Sequence, residues 1–158
     1  MHFIEYNIIK DKKYYKTHKI YIKEDKQMLE KYEKMGFNKE QLEEIKRGLE
    51  DGVNVEIFAD RKYNEYQMLQ IRGGLLEGLD VSVYADERYN DLQMRKIREG
   101  LKLNLDITKY ADVKFNWEQM EQIQEGLKEG LDVEVYNNPL FPTEAMRLIR
   151  NNIKIKKA

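Results

Sequence analysis

Apolar positions along this chain return at a fixed distance. Phe37, Tyr63, Tyr89, Phe115 and Phe141 stand 26 residues apart, as do Leu42, Met68, Met94, Met120 and Met146. Ile45, Ile71, Ile97, Ile123 and Ile149 keep the same spacing. A period of this size is the signature of a repeat architecture. Inside each unit, residues such as Met94, Ile97 and Leu101 recur at helical spacing and define one apolar face.

Helix starts are marked by Asn38, Asn64, Asn90 and Asn116, each followed three residues later by Gln41, Gln67, Gln93 or Gln119. This is the pattern of a capping box, and the aromatic before each Asn supplies a hydrophobic staple. In the fifth copy Pro142 and Ala145 replace Asn and Gln, with Thr143 as the substitute cap. Gly52, Gly78 and Gly130, with Asn104 in the matching place, suit left-handed helix ends. Gly48, Gly74, Gly100 and Gly126 fall inside the helices, where Gly costs roughly 1 kcal/mol against Ala. Their recurrence points to close backbone approach by a neighbouring element.

The second element of each unit (VNVEIFAD, LDVSVYAD, LDITKYAD, LDVEVYNN) has the composition of a strand. However, Val or Ile and then the aromatic are kept three apart, while Ile57, Val83, Lys109 and Val135 vary between them. That spacing, behind Asn54, Asp80, Asp106 and Asp132 as caps, favours a short helix of under two turns over a strand.

The expected fold is therefore all-α, an α-solenoid of short helix-pair repeats, or α with a small N-terminal β-hairpin. Residues 1–24 form an N-terminal cap that reads as the hairpin, and 25–158 form the repeat domain. That domain divides into a partial repeat 25–36, full repeats 37–62, 63–88, 89–114 and 115–140, and a C-terminal partial repeat 141–158. Each unit is too small to bury its own core, so stacking must hide the apolar faces. The polar, basic C-terminal end NNIKIKKA fits a solvated cap.

Composition narrows the function. No apolar run approaches a membrane span, and the N-terminal stretch, with Glu5 in its apolar part, is a poor secretory signal. The absence of cysteine fits a cytosolic protein. A net charge of −1 argues against a general polyanion binder. Charge is nonetheless banded: residues 35–60 and 113–138 each carry −4, while 1–34 carry +3 and 139–158 carry +4. The only histidines are His2 and His18, and the only serine is Ser82. Nucleophilic, metal and phosphate-loop chemistry thus lack raw material, and the expectation is no enzyme, no metal and no cofactor.

Two groups of residues stand out. On the outward face of the second full repeat, Tyr66, Leu69 and Leu76 replace residues that are charged in the fourth (Glu118, Glu121, Lys128). Leu92 extends that stripe, and Trp117 occupies a position that is Lys39, Glu65 or Asp91 elsewhere. An exposed apolar patch of this kind marks an interface, so Tyr66, Leu69, Leu76, Leu92 and Trp117 are the candidate partner-binding residues. The partner would be another protein or a second copy of the chain; the competing reading covers the stripe with the N-terminal hairpin. Separately, Lys46, Arg72, Arg98 and Arg150 form a column, broken by Gln124. It could track nucleic acid, but internal pairing with Asp60, Asp86 and Asp112 is favoured.

The unit N-x-x-Q-M-x-x-I-R-x-G-L-x-x-G-L-D-V-x-x-Y-A-D, best represented by Asn64 to Asp86, resembles short tandem repeats in proteins of low-GC Gram-positive bacteria, their phages and mobile elements. The resemblance covers residues 37–138 well and 139–153 weakly. It implies a small protein that binds another protein, with an anti-CRISPR type inhibitor of an effector nuclease as one concrete form. No catalytic or binding residue carries over from it.

Overall fold

The structure, a computed structural model, describes residues 26–157. The expected N-terminal hairpin, with His2 and His18, lies outside the described residues, which form helices and no strand. Helix α1 spans 26–34. It is followed by α2 (Lys39–Glu50), α3 (Glu65–Leu76), α4 (Asp91–Lys102), α5 (Trp117–Lys128) and α6 (Thr143–Lys157). From α2 onward, each long helix packs chiefly on the next one in sequence and on the short element that follows it.

The capping boxes form in α2 to α5. In α4, Asn90 Oδ1 accepts from the Gln93 backbone N–H at 2.9 Å, and Gln93 Oε1 accepts from the Asn90 N–H at 2.8 Å. That use occupies only one end of the Gln amide. Its Nε2 reaches out of the unit and donates to the Phe115 carbonyl at 2.6 Å and the Val113 carbonyl at 3.3 Å. Gln41, Gln67 and Gln119 do the same to Tyr63, Tyr89 and Phe141 at 2.6, 2.6 and 2.7 Å. Each helix start is thereby fastened to the loop that begins the following unit. Ala145, at the matching position of α6, has no amide to offer.

The second element is a single 3₁₀ turn in every unit: Val55–Ile57, Val81–Val83, Ile107–Lys109 and Val133–Val135. The choice of helix over strand holds, in a tighter form than expected. Asn54, Asp80, Asp106 and Asp132 each cap the turn by accepting from the N–H two residues on. The turn stops because the next residue, an aromatic, swings to an extended φ between −122° and −148°. This swing lays Phe58, Tyr84, Tyr110 and Tyr136 against the preceding helix, fully buried.

There the interior glycines explain themselves. A Cβ on Gly74, Gly100 or Gly126 would collide with the hydroxyl of Tyr84, Tyr110 or Tyr136, and one on Gly48 would lie 2.6 Å from the Phe58 ring edge. The aromatic occupies the space a side chain would need, so the helix gives up roughly 1 kcal/mol of propensity per unit for close contact. The helix ends also follow expectation, with Gly52, Gly78, Gly130 and Asn104 at φ of 70°, 69°, 63° and 52°. The core runs through all units as Ile45, Met68, Ile71, Met94, Ile97, Met120, Ile123 and Met146, none of them exposed.

α6 departs from the pattern. It begins at Thr143, so Thr143 is its first residue and Pro142 stands before it where the other units have Asn. Its outward side is not simply a solvated polar cap. Leu148 and Ile155 are well exposed there, as is Leu140 before it.

Two predictions follow from this packing. Gln93→Glu keeps the acceptor of the capping box but sets a carboxylate against the Phe115 carbonyl, where Gln93→Ala merely leaves that carbonyl unpaired. Both variants should lose about 2 kcal/mol or more in urea denaturation, although Glu serves an ordinary capping box well. Second, burial pushes the Tyr110 and Tyr136 phenols up to about 12. An unfolded tyrosine titrates near about 10, so the folded state favours the protonated form. This contribution is complete below about pH 10 and is lost as pH rises through about 12. The urea midpoint should fall across that window, and Tyr110→Phe should make the fall shallower.

Candidate partner-binding surface

Tyr66, Leu69 and Leu76 lie along one face of α3, three and then seven residues apart, which are helical spacings. Tyr66 is 58% exposed and Leu76 50%, while Leu69 is half-buried. Leu92 is the counterpart of Tyr66 on α4, half-buried at the edge of the same face. Tyr66, Leu69 and Leu76 share α3, and Leu92 lies on the adjoining α4. Trp117 is half-buried at the first position of α5, the helix packed against α4 on its other side.

Gly73 interrupts the α3 stripe between Leu69 and Leu76. The guanidinium of Arg98, from α4, covers it: Nη1 stands where a Cβ at Gly73 would be. The patch is thus apolar with one cation laid across its middle.

The cationic column is used internally, but not with the expected partners. Arg72, only 13% exposed in its side chain, pairs with Glu44 Oε2 at 3.1 Å and with Asp51, both on the preceding unit. Arg98 lies 3.7 Å from Glu77. Gln124 donates to the Tyr110 hydroxyl at 2.9 Å and to the Lys96 carbonyl. Lys46 is exposed beside Glu50, and Arg150 is half-buried near Glu129 and Tyr136. Within the column, Arg72 and Arg98 tie units together through acids of the preceding helix and its end, and Gln124 does so through a hydroxyl and a carbonyl.

Asp60, Asp86 and Asp112 have a different task. Each accepts the backbone N–H two residues on, at 3.0, 3.0 and 2.9 Å, and shapes the loop as an Asx turn. The Arg88 side chain folds back on Asp86 and holds its carboxyl down to about 2. A carboxylate recurring in step with an arginine suggested a pair, but the nearer backbone donor takes it.

Two shallow grooves lined by described residues are open to solvent. One is lined by Lys39, Glu40, Glu43, Glu44, Arg47 and Glu65 between α2 and α3, the other by Gln27, Glu30, Lys31, Lys34 and Met35 on α1. Among the described residues no cluster of His, Cys, Asp or Glu has the arrangement of a metal site. No helix there is long and apolar enough to cross a membrane.

Sequence reasoning missed the exposed Leu148 and Ile155, because α6 was compared by composition rather than position by position. It also missed the position shared by Glu44, Gln70, Lys96 and Gln122, which is buried on the side of each helix facing the next. Its signal was available: the residue changes charge from unit to unit directly before an isoleucine that never varies (Ile45, Ile71, Ile97, Ile123).

The two arginines should separate on mutation. Arg72→Ala leaves the nearly buried Glu44 with Arg47 alone and takes the cation from Asp51, and should cost about 2 kcal/mol by chemical denaturation. Arg98→Ala removes a longer and better solvated pair, and should cost about 1 kcal/mol or less. Equal losses would show that Arg98 is as deeply engaged as Arg72. Comparisons with protein-family models, with characterised proteins and with solved structures find nothing that matches this chain.

Proposed function

We propose that this protein is a non-enzymatic α-solenoid that binds another protein through the outward face of α3 and the adjoining edge of α4. One observation carries the reading. Tyr66 and Leu76 are exposed, on positions that α2, α5 and α6 fill with charged residues: Glu40, Glu118 and Glu144 at the first, Glu50, Lys128 and Lys154 at the second. The internal packing of a unit does not need an apolar residue at either place, since the same helix forms with Glu or Lys there. An exposed aromatic beside leucines is the composition of an interface centre.

The resemblance to repeat proteins of Gram-positive bacteria, their phages and mobile elements extends this reading. The partner would then be an effector nuclease of a CRISPR-type immune system, met in the cytoplasm of a bacterial host. A second copy of the chain is the other protein partner to test. A nucleic-acid stripe has less behind it, because Arg72 is already spent on Glu44 and Asp51.

The decisive variant is Tyr66→Glu with Leu69→Glu, which only installs residues the fold already carries at Glu40 and Glu43. Helicity and denaturation midpoint should therefore stay within about 1 kcal/mol of wild type. Binding to a nuclease partner, or self-association by analytical ultracentrifugation, should weaken roughly a thousandfold if both residues are hot spots. A variant that folds and retains full affinity would remove this face from the interface.

A further inference from the structure

The units supply their own controls for each interhelix contact. Between α2 and α3, Glu44 is nearly buried and accepts Arg72 Nε, while Asp51 takes another of its donors. Between α3 and α4 the same two places are held by Gln70 and Glu77. Gln70 is neutral, and its Oε1 is buried without a hydrogen-bond partner among the described residues. Glu77 is already engaged by Lys102 at 2.8 Å, and Arg98 Nε approaches it no closer than 3.7 Å.

Arg98 is thus an arginine of the column from which the matching buried acid has been removed. At the same time Gly73 has taken away the side chain that would hold the guanidinium off α3. Arg47, Glu99 and Glu125 occupy that position in α2, α4 and α5. The result is a planar cation resting over Gly73, on the helix that carries Leu69 and Leu76, its side chain 22% exposed and most of its donors uncommitted. A carboxylate meets such a fork with two parallel hydrogen bonds, and arginine inside an apolar patch is a frequent energetic centre.

We propose that Arg98 is the polar anchor of this surface, taking an Asp or Glu side chain of the protein partner. The acid would be set between apolar residues that cover Tyr66, Leu69 and Leu76. This rests on the reading of the α3 face as an interface and adds the chemistry of what it recognises. Arg72 cannot serve in the same way, because its donors face two acids of the chain itself.

The probe is a random peptide library displayed on phage, selected on the full chain and counter-selected on the Tyr66→Glu, Leu69→Glu variant. Selected peptides are then synthesised and titrated against wild type, Arg98→Gln and Arg98→Lys. Glutamine already stands at this position in α5 as Gln124, so Arg98→Gln should fold, which circular dichroism checks. The expected peptides share an acid flanked by apolar residues and bind Arg98→Gln roughly tenfold to a hundredfold more weakly, with Arg98→Lys between. Replacing the peptide acid by its amide should then cost nothing further on Arg98→Gln, as coupled partners require.

Peptides that depend on Tyr66 and Leu69 but bind Arg98→Gln as tightly as wild type would overturn the anchor and leave the interface standing. Selection that yields no peptide sensitive to the Tyr66 and Leu69 variant would overturn both. Arg98-dependent binding of a single-stranded oligonucleotide, with no such peptide found, would assign the cation to phosphate and overturn the proposal.

Discussion

One side-chain amide organises the array. A capping-box residue needs only an acceptor, and glutamate supplies it as well as glutamine. Here the same side chain must also donate, because Gln41, Gln67, Gln93 and Gln119 hold two carbonyls of the following loop. That requirement selects the amide. It also couples events that would otherwise be separate: the start of one helix, the end of the loop after it, and the burial of the aromatic that opens the next unit. Each is buried where an unpaired carbonyl would cost about 1 to 3 kcal/mol, so the register between units is set by hydrogen bonding as well as by packing.

Against this fixed joint, the remaining contacts vary freely in kind. Arg72 makes a buried ion pair, Gln124 bonds a tyrosine and a carbonyl, and Lys96 joins Glu99 and Glu121. Arg72 and Gln124 hold the same position of the unit, and Lys96 holds the one that is Glu44 in α2. Where the variation leaves a group unfilled, as at Arg98 and Gln70, the omission stands out because the neighbouring units show what would have completed it.

Much of the fold was legible because repetition exposes constraint. Asn and Gln three apart marked the helix starts, Gly and Asn the helix ends, and the varying residue before each aromatic favoured a short helix over a strand. The 3₁₀ form was not legible, since three residues of helix look alike in sequence whether the turn closes at i+3 or i+4. The outward reach of the Gln amide was hidden behind a sufficient local explanation. Asp60, Asp86 and Asp112 misled for the opposite reason: a long-range pair with arginine fitted their period, while a backbone donor two residues away was closer. At the surface, Tyr66, Leu69, Leu76, Leu92 and Trp117 were readable as departures from a charged pattern. Arg98 was visible as a residue and not as an uncommitted cation, because that status depends on Gln70 and Gly73, on another helix.

The amide hooks grip main-chain carbonyls only. The residues that lend those carbonyls include Arg61, Glu87, Val113 and Pro139, which have no side-chain chemistry in common. The hook itself therefore makes no demand on those side chains. Units exchanged between positions would keep it, while the side-chain pairs that cross a junction, such as Arg72 with Glu44 and Asp51, would have to find new partners.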